Sequence, residues 1–336
     1  MATESRNDLI GKSGTREYGF QGRLKSAFPS QIVVDITEVC NLACPHCPHP
    51  EFKQSEYYSA QYLPAELNAK MVDEVRERGQ GLTQYIRYTS NGEPLVHPKG
   101  FEMIEYASRN SGVFVTLTTN GTIMNEKRML KLLDSGVHMV DISIDAFTPE
   151  TYAKVRVNGD LNVTRANVLN LIEWVRSTKS KTKVVVSFVE QAQNCHETGA
   201  FESFWNDHGA DQVVIRRLHS AAGAVVKIAD IMRKSNALEA RRPCLYPWER
   251  ILLDARGFLA FCPTDWKYGS TVMDFRKTTI METWQGEFYR RLREAHLSND
   301  YSNHKFCGQC PDWKVTRWPG EGLSYADMVE KLQETG

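Results

Sequence analysis

The residues best able to do chemistry in this 336-residue chain are its eight cysteines. Three of them, Cys40, Cys44 and Cys47, fall in DITEVCNLACPHCPHP with the spacing C-x3-C-x2-C. Thiolates are soft ligands that select zinc, copper(I) or iron–sulfur clusters. A closed tetrahedral site wants four ligands. A zinc site completed by His46 or His49 is one reading, although zinc cysteines usually come in C-x2-C pairs. A [4Fe–4S] cluster on three thiolates is the other, and it leaves one iron open to a substrate or cofactor. A second set, Cys244, Cys262, Cys307 and Cys310, is spaced C-x17-C-x44-C-x2-C. Four thiols saturate an iron–sulfur cluster or hold a structural zinc. Cys195 is left over.

The rest of the composition narrows the classes. Lys+Arg and Asp+Glu are both 41, so the formal net charge is zero. No concentrated basic field points to nucleic acid or an anionic membrane. The opening MATESRNDLIGKSGTREYGF is polar, without the apolar core of a signal peptide. No later stretch approaches the ~20 apolar residues of a membrane span. The reading is a soluble, cytoplasmic chain, in which clustered cysteines are ligands or catalysts rather than disulfides.

Alternating elements must position these thiols. β-rich runs at 31–36, 84–89, 113–119, 139–144, 182–189 and 211–218 are separated by helical patterns. Leu67, Met71 and Val75 mark one helix face, and Val168, Leu171, Ile172 and Val175 another. Six strands alternating with helices imply right-handed crossovers and a parallel sheet. An open doubly wound sheet and a partial (β/α) barrel both fit. In either, ligands sit at the C-terminal ends of the strands, where Cys40 falls. Beyond Ser220, residues 220–242 read as a linker with some helix. RILLDARGFLAF reads as a β-hairpin turning at Arg256–Gly257, METWQGEFYRRLREAHL as one long polar helix, and YADMVEKLQET as a short surface helix. The loop 51–63, with Tyr57, Tyr58 and Tyr62, covers the thiols, lines a pocket or packs on the barrel.

C-x3-C-x2-C after the first strand of a (β/α) domain resembles the signature of the radical S-adenosylmethionine superfamily, with His46 at the family's aromatic position. The resemblance implies an α/β fold, a partial (β/α)6 TIM-like barrel over 31–220 behind an N-terminal extension at 1–30. It also implies that S-adenosylmethionine chelates the open iron and yields a 5′-deoxyadenosyl radical that abstracts hydrogen. Later strand ends carry further likenesses. SNGEPLVHP resembles the family's GGEP segment, with Gly92 and Glu93 matching, Asn91 replacing a glycine, and Ser90 to Glu93 expected near the cofactor's amino group. TTNG brings Thr119 and Asn120 near the cofactor, and DISIDA brings Ser143 and Asp145 to the ribose. Arg156 matches an arginine that meets the carboxylate, and Asn194 a position near the adenosyl moiety. Singly, NGEP and TTNG are ordinary turn sequences; their joint placement at successive strand ends carries the likeness.

The second cysteine set resembles the auxiliary-cluster domains of the same superfamily, called SPASM in the long form and twitch in the short form. Lacking cysteines beyond CGQC, it matches the twitch form: a small α+β domain with a β-hairpin over 221–320, holding a second [4Fe–4S] cluster, then a helical tail at 321–336. An electron donor such as flavodoxin or ferredoxin is implied. The spacing is similar to that of the 2-deoxy-scyllo-inosamine dehydrogenases, so the implied reaction oxidises an alcohol of a polyhydroxylated small molecule (sugar, aminocyclitol or nucleoside) to a ketone, the electron passing to the auxiliary cluster. By that likeness a sixth-strand residue meets the substrate: Arg216, Arg217 or His219. Alternation puts Arg216 and Arg217 on opposite faces. A redox-neutral epimerase, dehydratase or decarboxylase is the alternative, with Cys195 as hydrogen donor. A peptide-modifying maturase is the third, although only about thirty polar residues precede the first strand, too few for a peptide-binding domain.

Overall fold

The computed structural model describes residues 27–89, 91–237, 240–314, 316, 318 and 324–334. Six parallel strands lie in the order β6-β5-β4-β3-β2-β1: β1 (Gln31–Val34), β2 (Tyr85–Tyr88), β3 (Phe114–Thr119), β4 (Met139–Ser143), β5 (Lys183–Glu190) and β6 (Gln212–Arg217). Helices Ala65–Arg78, Gly100–Asn110, Glu126–Asp134, Leu161–Thr178 and Thr198–Asp207 connect them. Alternation along each strand divides the side chains. Ile86, Val115, Val140, Val184 and Phe188 join Met71, Val75, Ile104, Leu132, Val168 and Phe201 in the main core, beneath the helices. Tyr85, Met139 and Val185 belong to a separate cluster on the opposite, inner face.

The sheet does not close through β6. The other neighbour of β1 is β7 (Arg250–Leu253), paired in parallel with Gln31 opposite Arg250. Antiparallel β8 (Phe258–Ala260) and β9 (Thr271–Asp274) follow, so among the described residues one sheet has nine strands. The expected hairpin is present. Asp254 Oδ1 accepts from the backbone N–H of Arg256 (3.0 Å) and Phe258 (2.8 Å), and Gly257 takes the left-handed conformation at φ 87°. Its first strand, β7, joins the barrel sheet through β1 rather than forming a sheet of its own.

Two expectations are corrected. The stretch read as one polar helix is two, Ile280–Gln285 and Glu287–Ser298, meeting at Gly286 in an extended conformation. A capping box of Thr279 and Glu282 starts the first, and Trp284 and Tyr289 are buried on either side of the break. The tail is not a surface helix. In Tyr325–Glu334, Met328, Val329 and Leu332 are buried against Tyr85, Met139 and Val185. Its apolar stripe seals the inner face at the N-terminal ends of the strands. Among the described residues, no helix is long and apolar enough to cross a membrane.

Candidate active site

The loop after β1 carries Cys40, Cys44 and Cys47, and it is pinned by backbone bonds. Cys47 N–H donates to Cys44 C=O (3.0 Å), Ala43 N–H to Val157 C=O (3.0 Å), and Glu93 N–H to Val39 C=O (2.9 Å). Gly92 sits where that last contact forms. A Cβ there would lie 2.2 Å from Thr37 O and 2.6 Å from Val39 O. Backbone cannot yield as a flexible side chain does, so Gly92→Ala must push the cysteine loop outward. We expect it to cost about 1–3 kcal/mol and to lower the iron retained by the triplet, measured as melting temperature and iron per chain.

Glu93 is buried and joins three loops. Its carboxylate accepts from Thr119 Oγ1 (2.6 Å), the backbone N–H of Asn120 (2.7 Å) and that of Leu95 (3.1 Å). Burial pushes its carboxyl up, and these hydrogen bonds oppose the shift without cancelling it. Asn120 Nδ2 donates to Asn41 Oδ1 (2.8 Å), and both residues bond Thr122. The TTNG turn is thereby tied to the residue after Cys40. Asn91 is buried, and its backbone N–H reaches the Asp35 carboxylate. Ser90 lies outside the described residues.

Asp145 is the hub of the opposite wall. It has φ 63°, a left-handed conformation that side-chain-bearing residues seldom adopt. Its Oδ2 lies 2.6 Å from Arg156 Nη2 and 3.3 Å from His46 Nε2, and its Oδ1 accepts from Val189 N–H (2.7 Å). Burial raises its pKa, but Arg156, His46 and the Val189 N–H outweigh that and hold it below the usual carboxylate range. Arg156 Nη1 donates to Cys44 Sγ (3.8 Å), which joins the hub to the thiols. Asn194 Nδ2 donates to the carbonyls of Asp145 (2.9 Å) and Val189 (3.0 Å), and its Oδ1 accepts from Gln191 N–H (2.8 Å). Its polar atoms therefore shape this loop. Gln191 Nε2 in turn meets His46 Nδ1 (3.1 Å).

On β6 the geometry separates the three candidates. Arg216 points inward, with Nη2 2.5 Å from Asp141 Oδ2. Arg217 is exposed on the other face, so it is corrected to a surface residue. His219 is held by Ala221 N–H at Nδ1 (3.1 Å). Burial lowers its pKa, Asp312 opposes the shift, and His46 and Arg216 add to it. Cys195 is exposed, and its Sγ faces Ala192 O at 3.8 Å. A hydrogen donor to a substrate radical belongs where water is excluded, so this position does not suit that role.

Sequence reasoning missed Asp141, Arg87, Ser187 and Tyr325. Asp141 is fully buried and also receives Ser187 Oγ (2.7 Å) and, at 3.6 Å, Arg87 Nη2. Ser143 Oγ lies 3.4 Å from Ser187 Oγ. The signal for Asp141 was available, since alternation puts it on the same face as Ser143.

Both thiol sets fit iron–sulfur clusters. Cys244, Cys262, Cys307 and Cys310 line one cavity with Phe261 and Phe306. Asp312, at its edge, is already bonded to Ser220 N–H (3.0 Å), Ser220 Oγ (2.9 Å) and Ala222 N–H (2.6 Å). Burial pushes the thiols of Cys40, Cys47, Cys244, Cys262 and Cys310 up to about 12, and Cys44 and Cys307 the same way. Iron must displace those protons on loading. Among the described residues, no three His, Cys, Asp or Glu side chains gather as one metal ion requires. Thiols that each serve a different iron need no such convergence. His49 Nε2 faces the Glu38 carbonyl (2.9 Å), and His46 is paired with Asp145, so both histidines are otherwise engaged.

Comparisons with known proteins fit this geometry. The Radical SAM superfamily model matches residues 34–189, and the SPASM iron-sulfur cluster-binding domain model residues 244–311. The chain is 25% identical over 229 residues to a mycofactocin maturase MftC of Mycobacterium ulcerans, covering 67% of this chain and 57% of that protein. It is 25% identical over 283 residues to a probable GTP 3′,8-cyclase of Methanococcus maripaludis strain C7, covering 84% of this chain and 80% of that one. The chain thus spans little more than half the length of the maturase it matches. Among solved structures, BtrN in complex with AdoMet and 2-DOIA superposes with a TM-score of 0.57 at 14% identity, over 84% of this chain and 92% of that one. SuiB of Streptococcus suis bound to precursor peptide SuiA gives 0.62 at 14% identity, over 90% and 73%. At such identities the likeness is one of fold.

Proposed function

The chain belongs to the radical SAM superfamily and carries a SPASM-type iron–sulfur domain, and from that premise we propose that it oxidises an alcohol of a small polyhydroxylated molecule to a ketone. The observation that carries the reading is the four-thiol cavity of Cys244, Cys262, Cys307 and Cys310. It belongs to a unit whose first strand, β7, is hydrogen-bonded to β1, the strand that leads into the cysteine triplet. A four-thiol cluster has no iron free for substrate, so its work is to receive the electron that oxidation releases.

Two clusters and S-adenosylmethionine, when bound, supply one-electron chemistry and hydrogen abstraction. Cys40, Cys44 and Cys47 would hold the first cluster. Arg156 keeps positive charge beside Cys44 while Asp145 balances it. Glu93, Thr119 and Asn120 fix the loops over the cofactor's place. Ser143, at the end of β4, is the side chain proposed for the ribose. Arg216 is the β6 side chain proposed to face the substrate, with His219 and His46 nearby. The domain division at about residue 220 is proposed on the same grounds, as is an external reductant.

A peptide substrate is the second reading, favoured by the maturase relative and by the peptide-bound neighbour. The epimerase reading is weaker, because Cys195 is exposed. Mass spectrometry of the product decides among them. Oxidation gives a product two hydrogens lighter without solvent deuterium, and Cys195→Ala keeps full activity. Uptake of one solvent deuterium at unchanged oxidation level, lost in Cys195→Ala, would sink the dehydrogenase reading.

A further inference from the structure

The inner face of the barrel holds a charge group that the cofactor contacts do not use. Arg87 of β2 and Arg216 of β6 converge on Asp141 of β4, with Nη2 atoms 3.6 and 2.5 Å from the same Oδ2. Asp141 is completely buried, whereas the Arg87 and Arg216 side chains are 18% and 26% exposed. The two guanidiniums therefore border open space. Tyr325 of the tail helix lies beneath them, its ring centroid 3.8 Å from Arg87 Cζ and 5.6 Å from Arg216 Cζ, with its OH donating to Thr116 Oγ1 (3.1 Å). Arg87 Nε and Nη2 donate to Thr118 Oγ1 (3.1 and 3.0 Å).

One carboxylate cannot neutralise two guanidiniums. Among the described residues, Arg216 Nε and Nη1 and Arg87 Nη1 make no hydrogen bond. The group is thus a braced cationic floor with spare donors. Its centre, Asp141, lies one strand repeat, roughly 7 Å, below Ser143 along β4, within reach of a molecule whose far end meets the cofactor. Planar guanidinium forks match carboxylate and phosphate oxygens. The geometry points to an oxyanion site: the substrate carries a carboxylate or phosphate that Arg87 and Arg216 bind at the barrel floor. This names the substrate class of the proposed reaction and rests on that reading.

The test uses the reconstituted full chain with inorganic phosphate and acetate as separate probes, read by thermal shift and calorimetry. At least one anion is expected to stabilise the protein saturably, and the better binder identifies the oxyanion. Arg87→Gln and Arg216→Gln should each weaken that binding about tenfold or more, and added salt should weaken it too. Arg87→Lys, which keeps the charge, should recover part of it and guards against simple misfolding, with iron content and circular dichroism checked alongside. No protection by either anion, or equal protection of wild type and both Gln variants, overturns the site. Release of 5′-deoxyadenosine under a chemical reductant is measured separately. If it proceeds while anions fail to bind, only the oxyanion site falls; if it fails while anions bind, the radical reading falls instead.

Discussion

Replacing Cys44 with alanine should abolish 5′-deoxyadenosine formation, whereas replacing Cys307 and Cys310 together should leave it intact and abolish only the oxidised product. Anaerobic reconstitution of the wild-type chain should yield about eight irons, four in each cluster. Each variant should retain about four. The separation follows from where the thiols lie. The triplet occupies one loop at the C-terminal end of β1, among Arg156, Glu93 and Asp145. The other four line a cavity of their own, reached from β7, β8 and the Lys305–Gln309 helix. Each substitution leaves its own site with two thiols, too few to hold a cluster, and leaves the other ligand set whole.

A count of about four irons in the wild type, with zinc making up the difference, would remove the auxiliary cluster and with it the electron acceptor that oxidation needs. Loss of 5′-deoxyadenosine in the Cys307/Cys310 double variant would mean that the two sites are not independent. The shared sheet gives that outcome a physical route, since β1 and β7 are paired along their whole length. Circular dichroism separates the cases, because a collapsed sheet loses its β signal, whereas loss of the cluster's ligation energy lowers the melting temperature and leaves the sheet formed.

The parts of this site that could be read from the sequence are the local ones. C-x3-C-x2-C, NGEP, TTNG and DISIDA are each contained in a few residues, and each lies at the C-terminal end of a strand whose apolar run is also local. Period-two alternation was enough to separate Arg216 from Arg217. Applied one step further along β4, it also puts Asp141 on the face of Ser143. What lay beyond reading was which distant element meets that face. Tyr325 reaches Arg87 across more than two hundred residues of chain, and nothing in YADMVEKLQET tells whether its apolar stripe covers a core or an outer surface. The same holds for β7, whose short apolar run before the Arg256–Gly257 turn reveals a strand but not that its partner is β1. The helical pattern runs on unbroken through Gly286, so the stretch reads as one helix; the break there goes with the burial of Trp284 and Tyr289 on either side of it. Asn194 was recognised by position, while its work of holding Asp145 in a left-handed conformation depends on bonds to residues 145 and 189.

Replacing Arg156 with methionine should destabilise the protein by about 3–5 kcal/mol, the usual cost of stranding one partner of a buried ion pair, and the loss should be greater at neutral than at acidic pH. In the wild type, Asp145 has a depressed pKa. It contributes stability that is present above the unfolded carboxylate value of about 3.9 and is lost only as pH falls through the still lower folded value. Burial is the largest single influence on this carboxyl; without Arg156 it is no longer outweighed, and the folded pKa rises above the unfolded one. The sign then reverses: the variant loses stability as pH rises from about 4 through the raised value, and the penalty is complete above it. Melting temperatures of the two proteins should therefore converge as pH is lowered from 7.5 towards 4.5. Asp145→Asn separates charge from shape. It keeps the side-chain acceptor for Val189 N–H but strands Arg156, so it should destabilise without the pH-dependent convergence. A gap that stays constant with pH in the Arg156→Met protein would mean that His46, 3.3 Å away, is enough to keep Asp145 ionised, and that the arginine matters to Cys44 rather than to Asp145.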